Sequence, residues 1–460
     1  MKLVLLIFLL TLSSVYSQNT IPSYFPTRCI PEQSLKVTKP SFIQKPIAPL
    51  EKEVMGWHPY WASATAHTNY DYSVLNHLSY FGYELKADGT LFEYQSSVDD
   101  SIVISYAKEQ GCKTSITIIC FDKTLFTTVY DDYDKTDIFF ENLVNIVERL
   151  QVDEVIFDFE PLSSFPQDKI HDFLLEARFA LYFIASEEEI KLSMAMPAVD
   201  WTKNINLQHY SEDLDKLIVM AYDYYYSGSP TAGPVSPLTG EVYNVQNTIA
   251  NYLSQVPNDK LIIAYPWYGY DWPVSNTQRK ATASGTATAR TLSVMKTYTS
   301  QNTPTFDTAT NVPWLNYTSS QMNFQVWYED SLSLANKYFE ITKNDLAGVG
   351  IWALNYASGE QYAWSEIRNQ FEREVTSVSE VSKGVSFQNV CIERTESIQL
   401  PFITKNVAIY STTGLKLVEK NISQNTLQFK RDFSIETTGV YLVECSTENG
   451  NVTRFVVLLR

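Results

Sequence analysis

The stretch Val152-Asp153-Glu154-Val155-Ile156-Phe157-Asp158-Phe159-Glu160 decides the reading of this chain. Its apolar run Glu154–Phe159 has the length and composition of a β-strand. Side chains at i and i+2 share one face of a strand. Ile156, Asp158 and Glu160 therefore point one way, and Val155, Phe157 and Phe159 the other. The second face suits packing against helices. The first ends in two carboxyl groups, as expected where a barrel strand opens at its carboxyl end onto a cleft. Two acids in an otherwise apolar strand are costly unless they are hydrogen-bonded or used. A carboxyl beside an apolar wall and a second carboxylate has a raised pKa and can carry a proton to a leaving oxygen. The same spacing also fits a buried acid pair locked for structural reasons, and spacing alone leaves both readings open.

Outward from this strand the same rhythm recurs. Strand candidates lie at Glu53–Trp57, His77–Tyr83, Thr114–Cys120, Lys191–Met196, Leu217–Tyr222, Leu261–Tyr265 and Gly348–Trp352. Between them run amphipathic stretches at Asp99–Gln110, Asp137–Leu150, Gln167–Ser186, Asn244–Val256 and Ser331–Thr342. Eight strands alternating with helices predict an α/β fold, a (β/α)8 TIM barrel over residues 51–375. A doubly wound open sheet is the alternative, but no GxGxxG or P-loop follows any strand, so nothing supports nucleotide binding. The connection after the seventh strand is too long for an irregular loop. It contains strand-like pieces such as Phe324–Glu329, which predict an α+β insertion at about residues 270–330.

The flanks differ in texture. Residues 1–17 carry one positive charge, a short apolar run and small residues before Gln18, the features of a secretory signal peptide. That run is too short to span a bilayer, and no other stretch is long and apolar enough. Residues 18–50 are rich in Pro and Ser and read as an extended lead-in, and residues 376–387 as a linker. Short alternating runs then follow at Ser397–Leu400, Val407–Tyr410, Leu415–Val418, Thr426–Phe429, Gly439–Cys445 and Val452–Leu459. They predict a small all-β sandwich over residues 388–460.

Composition narrows the partners. Net charge is −17, with no basic run, so a nucleic acid would be repelled, whereas a neutral glycan is compatible. Aromatics are plentiful, with Tyr 30, Phe 24 and Trp 9, and serve either as core or as flat faces for sugars. The cysteines, Cys29, Cys112, Cys120, Cys391 and Cys445, form no CxxC or Cys/His metal pattern, and the His residues show no ligand spacing. No cofactor or metal is expected. Export would permit a Cys391–Cys445 disulfide, which sequence does not decide.

Asp153 to Glu160 resembles the DGxDxDxE signature of glycoside hydrolase family 18, the chitinases and related N-acetylglucosaminidases. Five further segments, in order, resemble other family strands. They are Met55-Gly56-Trp57-His58-Pro59-Tyr60-Trp61, Met220-Ala221-Tyr222-Asp223, Tyr265-Pro266-Trp267-Tyr268-Gly269-Tyr270-Asp271-Trp272, Val326-Trp327-Tyr328-Glu329-Asp330 and Gly348-Val349-Gly350-Ile351-Trp352-Ala353-Leu354. The resemblance implies a secreted, retaining, substrate-assisted glycosidase acting on β-linked N-acetylglucosamine-containing oligo- or polysaccharides, chitin-like or peptidoglycan-like. It implies Glu160 as general acid/base, Asp158 as the group that orients the 2-acetamido substituent, and Tyr222 as a hydrogen-bond donor to the acetamido oxygen. It implies Trp352 as the floor of the −1 sugar, with Met220, Asp223, Trp267, Tyr268 and Trp57 as further substrate-binding candidates. Glu154 stands where the family has Gly, and Ile156 where it has the first Asp of DxDxE. Ile156, together with a third strand (Ser115–Phe121) that lacks the Gly-rich ending of many chitinases, resembles the spore-associated branch. Ile156 also leaves open a catalytically silent glycan-binding protein, while an endo-acting enzyme on N-glycans would share the same carboxylate pair. The segments Val407–Gly414, Gly439–Val443 and Asn451–Val457 resemble the type IX secretion sorting domain, which implies export through that machinery.

Overall fold

The computed structural model describes residues 50–372 except 95, 183 and 185–188, together with 397–411, 416–428, 432–434, 439–447 and 452–459. The leader, nearly all of the lead-in, the linker at 376–387 and Cys391 fall outside the described residues. Cys445 is buried and its thiol is free.

The strands run in chain order as β1 (Glu53–Pro59), β2 (His77–Leu85), the short β3 (Leu91–Glu93), β4 (Lys113–Cys120), β5 (Glu154–Phe159), β6 (Lys191–Pro197), β7 (Lys216–Met220) and β8 (Leu261–Pro266). Then come β9 (Tyr268–Val274), β10 (Thr288–Thr291), β11 (Thr305–Asp307), β12 (Val312–Ser319), β13 (Met322–Trp327) and β14 (Gly348–Trp352). Eight of them form a parallel ring in the order β1-β14-β8-β7-β6-β5-β4-β2, and pairing of β1 with β2 closes it. This is the expected (β/α)8 barrel. β3 adds an antiparallel edge to β2.

Alternation along the strands sorts the two layers. Met55, Trp57, Phe81, Ile119, Ile156, Ile218, Ile262 and Ala264 pack together inside the barrel. Phe157 and Phe159 face outward against the helices, with ring centroids 5.1 Å from Phe173 and 5.7 Å from Phe165 respectively. The helix Tyr133–Leu150 buries Phe139, Leu143, Ile146, Val147 and Leu150, a stripe at helical spacing. Asp132 caps its start, and Gln151 ends it in the left-handed region at φ 53°. Four shorter helices, Lys123–Tyr130, Leu207–Asp213, Leu292–Gln301 and Gln361–Phe371, were not announced by an apolar period.

At the foot of the barrel the first residues of β1, β2 and β5 meet. His77 Nδ1 lies 2.7 Å from Glu53 Oε1, and His77 Nε2 lies 2.8 Å from Ser115 Oγ. Glu154, at the family's Gly position, is buried 4.0 Å from the same ring. Burial pulls the His77 pKa down, but Glu53 and Glu154 outweigh it and hold the imidazole above its ordinary value.

The long connection is a folded insertion. β10, β9, β13, β12 and β11 form an antiparallel sheet, and the helix Leu292–Gln301 accompanies it. Gly269 is required there, because a Cβ would lie 2.2 Å from the Trp327 carbonyl oxygen. No helix among the described residues is long and apolar enough to cross a membrane.

The C-terminal unit forms one antiparallel sheet from β15 (Ser397–Ser411), β16 (Lys416–Gln428), β17 (Gly439–Ser446) and β18 (Val452–Leu459), in the order β16-β15-β17-β18. The four runs expected before residue 430 merge into two long strands. Register shifts between Gln399, Thr404 and Asn406 interrupt their ladder, which explains why the sequence reads as shorter pieces.

Candidate active site

β5 delivers Asp158 at its end and Glu160 just beyond it, on the interior face set by Ile156. Asp158 is buried and Glu160 is half-buried. The two share a hydrogen bond. Burial, then the charge of Glu160, then that hydrogen bond hold the Asp158 carboxyl well above the ordinary aspartate range. Asp158 is thus the donor of the pair. Its Oδ1 is buried with no hydrogen-bond partner among the described residues. Glu160 is raised by burial and then by the charge of Asp223, while the Asp158 hydrogen bond acts against the rise.

β7 continues the same interior parity through Ile218, Met220 and Tyr222. Met220 is partly exposed at the strand end. Tyr222 packs against both the barrel cluster and the insertion cluster. Burial and then the charges of Glu160, Asp158 and Asp223 push its phenol far above the usual tyrosine value, which places it amid all three acids. Asp223 adopts φ 56°, a left-handed conformation that Asp tolerates at modest cost. Its Oδ1 accepts from the Tyr268 hydroxyl, and its Oδ2 accepts from the Tyr270 hydroxyl at 3.2 Å. Asp223 stands on the open side of the cleft, yet the protein around its carboxyl keeps its pKa raised despite the two phenols.

β14 ends at Trp352, which is partly exposed. Phe81, Trp57 and Trp61 surround its ring at centroid distances of 4.8, 5.8 and 6.1 Å, all edge-on. Trp57 is buried, and its indole donates to Thr117 Oγ1 at 3.1 Å, so it supports Trp352 from below.

Asp158, Glu160, Tyr222, Asp223, Tyr268 and Trp352 therefore converge at the carboxyl end of the barrel. Trp267 does not join them. Ile262 and Ala264 point inward from β8, so Tyr265 and Trp267 point outward. Trp267 is fully buried and donates to the Tyr338 hydroxyl at 3.1 Å in the helix layer. As a substrate-binding candidate it is corrected to a packing residue. Tyr270 beside Asp223, Phe81 and Trp61 around Trp352, and Tyr356, whose ring centroid lies 6.3 Å from that of Tyr268, were not among the sequence candidates. For Tyr270 the i+2 relation to Tyr268 was a usable signal.

Residues 54–357 match the family model described as glycosyl hydrolases family 18, and residues 386–458 match a secretion system C-terminal sorting domain. The putative sporulation-specific glycosylase YdhD of Bacillus subtilis is 27% identical over 219 residues, 46% of this chain and 49% of its own length. The cortical fragment-lytic enzyme of Bacillus anthracis is 22% identical over 292 residues, 61% of this chain and 65% of its own. The match thus spans about half to two thirds of these relatives. A solved GH18 chitinase of Cycas revoluta in complex with (GlcNAc)3 shares the fold at TM-score 0.62 and 19% identity, covering 69% of this chain and 99% of that one. With the closed barrel, the acid pair at the tip of its fourth strand and a family match across the whole barrel, this chain belongs to glycosyl hydrolases family 18.

Proposed function

We propose that the protein is an exported glycosidase that cleaves β-linked N-acetylglucosamine-containing glycans with retention, the substrate's own acetamido group acting as nucleophile. The observation that carries this reading is the hydrogen-bonded Asp158–Glu160 pair beside Tyr222 and Trp352. Trp352 provides an apolar face under the −1 sugar. The orphaned Oδ1 of Asp158 suits the acetamido N–H, and the Tyr222 hydroxyl donates to the acetamido oxygen as it attacks the anomeric carbon. Glu160 gives its proton to the departing oxygen and later takes one from the water that opens the oxazolinium ring. The sorting-domain match at residues 386–458 supports export, and the resemblance stated above makes the type IX machinery the proposed route.

Incubation of the purified protein with chitooligosaccharides, peptidoglycan fragments and N-glycans, read by mass spectrometry, tests the reading and identifies the substrate. The buried Ile156 favours a second reading, a silent glycan-binding protein; binding with no cleavage of any of these glycans would establish it.

Two substitutions probe the parts. Trp352→Ala removes the floor and lowers kcat/KM by about tenfold or more. Asp223→Asn removes a like charge from beside Glu160. Glu160 then loses its proton at a lower pH, so the alkaline limb of kcat/KM moves to lower pH. Comparison of the two pH profiles measures it, and an unmoved limb would show that Glu160 does not set it.

A further inference from the structure

Two groups of donors among the described residues lie close enough to hold a metal ion: Glu53, His77 and Glu154 at the barrel foot, and His171, His209 and Asp213 in the helical shell. The first is a closed hydrogen-bond network, because both nitrogens of His77 are already taken. The second is not closed. His171 Nδ1 lies 2.6 Å from Asp213 Oδ2, whereas His209 Nε2 stands 3.8 Å from the same oxygen, beyond hydrogen-bonding range. Among the described residues nothing else bonds to the His209 ring, whose side chain is 46% exposed.

The scaffold of this second group is firm. Asn206 caps the helix Leu207–Asp213 by accepting from the His209 N–H, which fixes His209 in the first turn. Asp213 follows at i+4, on the same face. His171 comes from the helix Gln167–Tyr182, and the Tyr210 hydroxyl ties the two helices together by donating to Gln167 Oε1 at 2.9 Å. Arg178 Nη2 donates to the Asp213 carbonyl at 2.8 Å. Asp213 and His171 are buried, and the open side belongs to His209.

We propose that His171, His209 and Asp213 form a binding site for a divalent transition-metal ion of the zinc class, clamping these two helices of the barrel wall. Two imidazoles and a carboxylate are donors that zinc accepts and that magnesium and calcium do not favour. Tetrahedral zinc bonds near 2.1 Å set donors about 3.4 Å apart, between the 2.6 and 3.8 Å separations of these atoms. The rings of His171 and His209 now stack with centroids 3.5 Å apart and 13° between planes. The exposed His209 ring turns toward the ion, and the His171–Asp213 pair opens from 2.6 Å to the donor spacing of the ion. The ion replaces the proton on His171 Nδ1, which leaves to solvent, and water fills the fourth position. Sequence spacing showed no such site, because the fold joins residues from two separate βα units.

The test uses the full chain, freed of any affinity tag and stripped with a chelator. Zinc chloride is titrated by calorimetry and the thermal midpoint is followed in parallel. The expected result is one equivalent of zinc and a midpoint raised by about 3 °C or more at saturation, with no shift from magnesium or calcium. His209→Ala and His171→Ala each weaken binding by about tenfold or more. His209→Ala alters a half-exposed ring, so the metal-free midpoint stays near wild type and separates lost binding from misfolding. Glu154→Gln and Glu160→Gln keep the zinc. Absence of saturable zinc binding overturns the proposal, as does binding that survives both histidine substitutions or disappears in Glu154→Gln. None of these readings depends on glycan hydrolysis.

Discussion

Glu160→Gln lowers hydrolysis of the best glycan substrate by about a thousandfold while its dissociation constant changes by less than about threefold. The amide keeps the size and most of the hydrogen bonding of the carboxyl but carries no transferable proton. In the proposed reading binding rests on Trp352, Tyr222 and the Asp223–Tyr268–Tyr270 group, and the substitution replaces none of these. Loss of the negative charge also relieves its repulsion with Asp223. Folding stability is therefore kept or slightly raised at neutral pH. Turnover by single-turnover kinetics and binding by calorimetry on the same sample decide the point. Turnover within tenfold of wild type would remove Glu160 from the reaction.

The second large effect lies away from the cleft. Glu329 and Lys337 are both wholly buried and pair at 2.7 Å, with Ser333 Oγ donating to the same carboxylate oxygen at 2.6 Å. Lys337→Ala strands the glutamate and is expected to cost about 3–5 kcal/mol of stability. Burial already holds the Glu329 pKa above the ordinary value. Without Lys337 it rises further, so the stranded glutamate is tolerated best when protonated. The deficit is therefore smallest at acidic pH and grows as pH rises through the raised folded-state pKa. Urea unfolding of wild type and variant at acidic and neutral pH checks both size and sign. The double substitution Glu329→Gln, Lys337→Met recovers much of the loss, since the pair's net worth is far below the cost of breaking it.

The barrel was legible because its signal is repetitive. Six of the eight apolar runs carry β-branched residues, and all eight alternate with helical stretches, so a one-residue error at any end leaves the architecture unchanged. Helices such as Lys123–Tyr130 and Leu207–Asp213 escaped because seven or eight residues make barely two turns. Threonines in the first of them blur what apolar period there is. The acid pair was legible through period-two alternation, the same rule that should have turned Trp267 outward. It did not because Pro266 and Trp267 fall at the junction of β8 and β9, where the insertion sheet begins and the eye follows the aromatic run instead of the parity. Asp223's two phenols were half legible. Tyr268 and Tyr270 share a strand face, but their target lies on another strand's extension, and only the fold brings it near.

The apolar layer around Ile156 also separates two populations of exchangeable protons. Above it sit Asp158, Glu160 and Asp223; below it sit Glu53, His77 and Glu154. An aspartate at 156 would have offered a stepping stone between them. Isoleucine, with Met55, Ile119, Ile218 and Ile262 around it, leaves only the hydroxyls of its register neighbours Thr117 and Ser193 at that level of the barrel's bore. No carboxyl at position 156 links the two groups, so in the proposed reaction the proton that Glu160 gives to a leaving group is restored through the open mouth, from water or from the sugar itself.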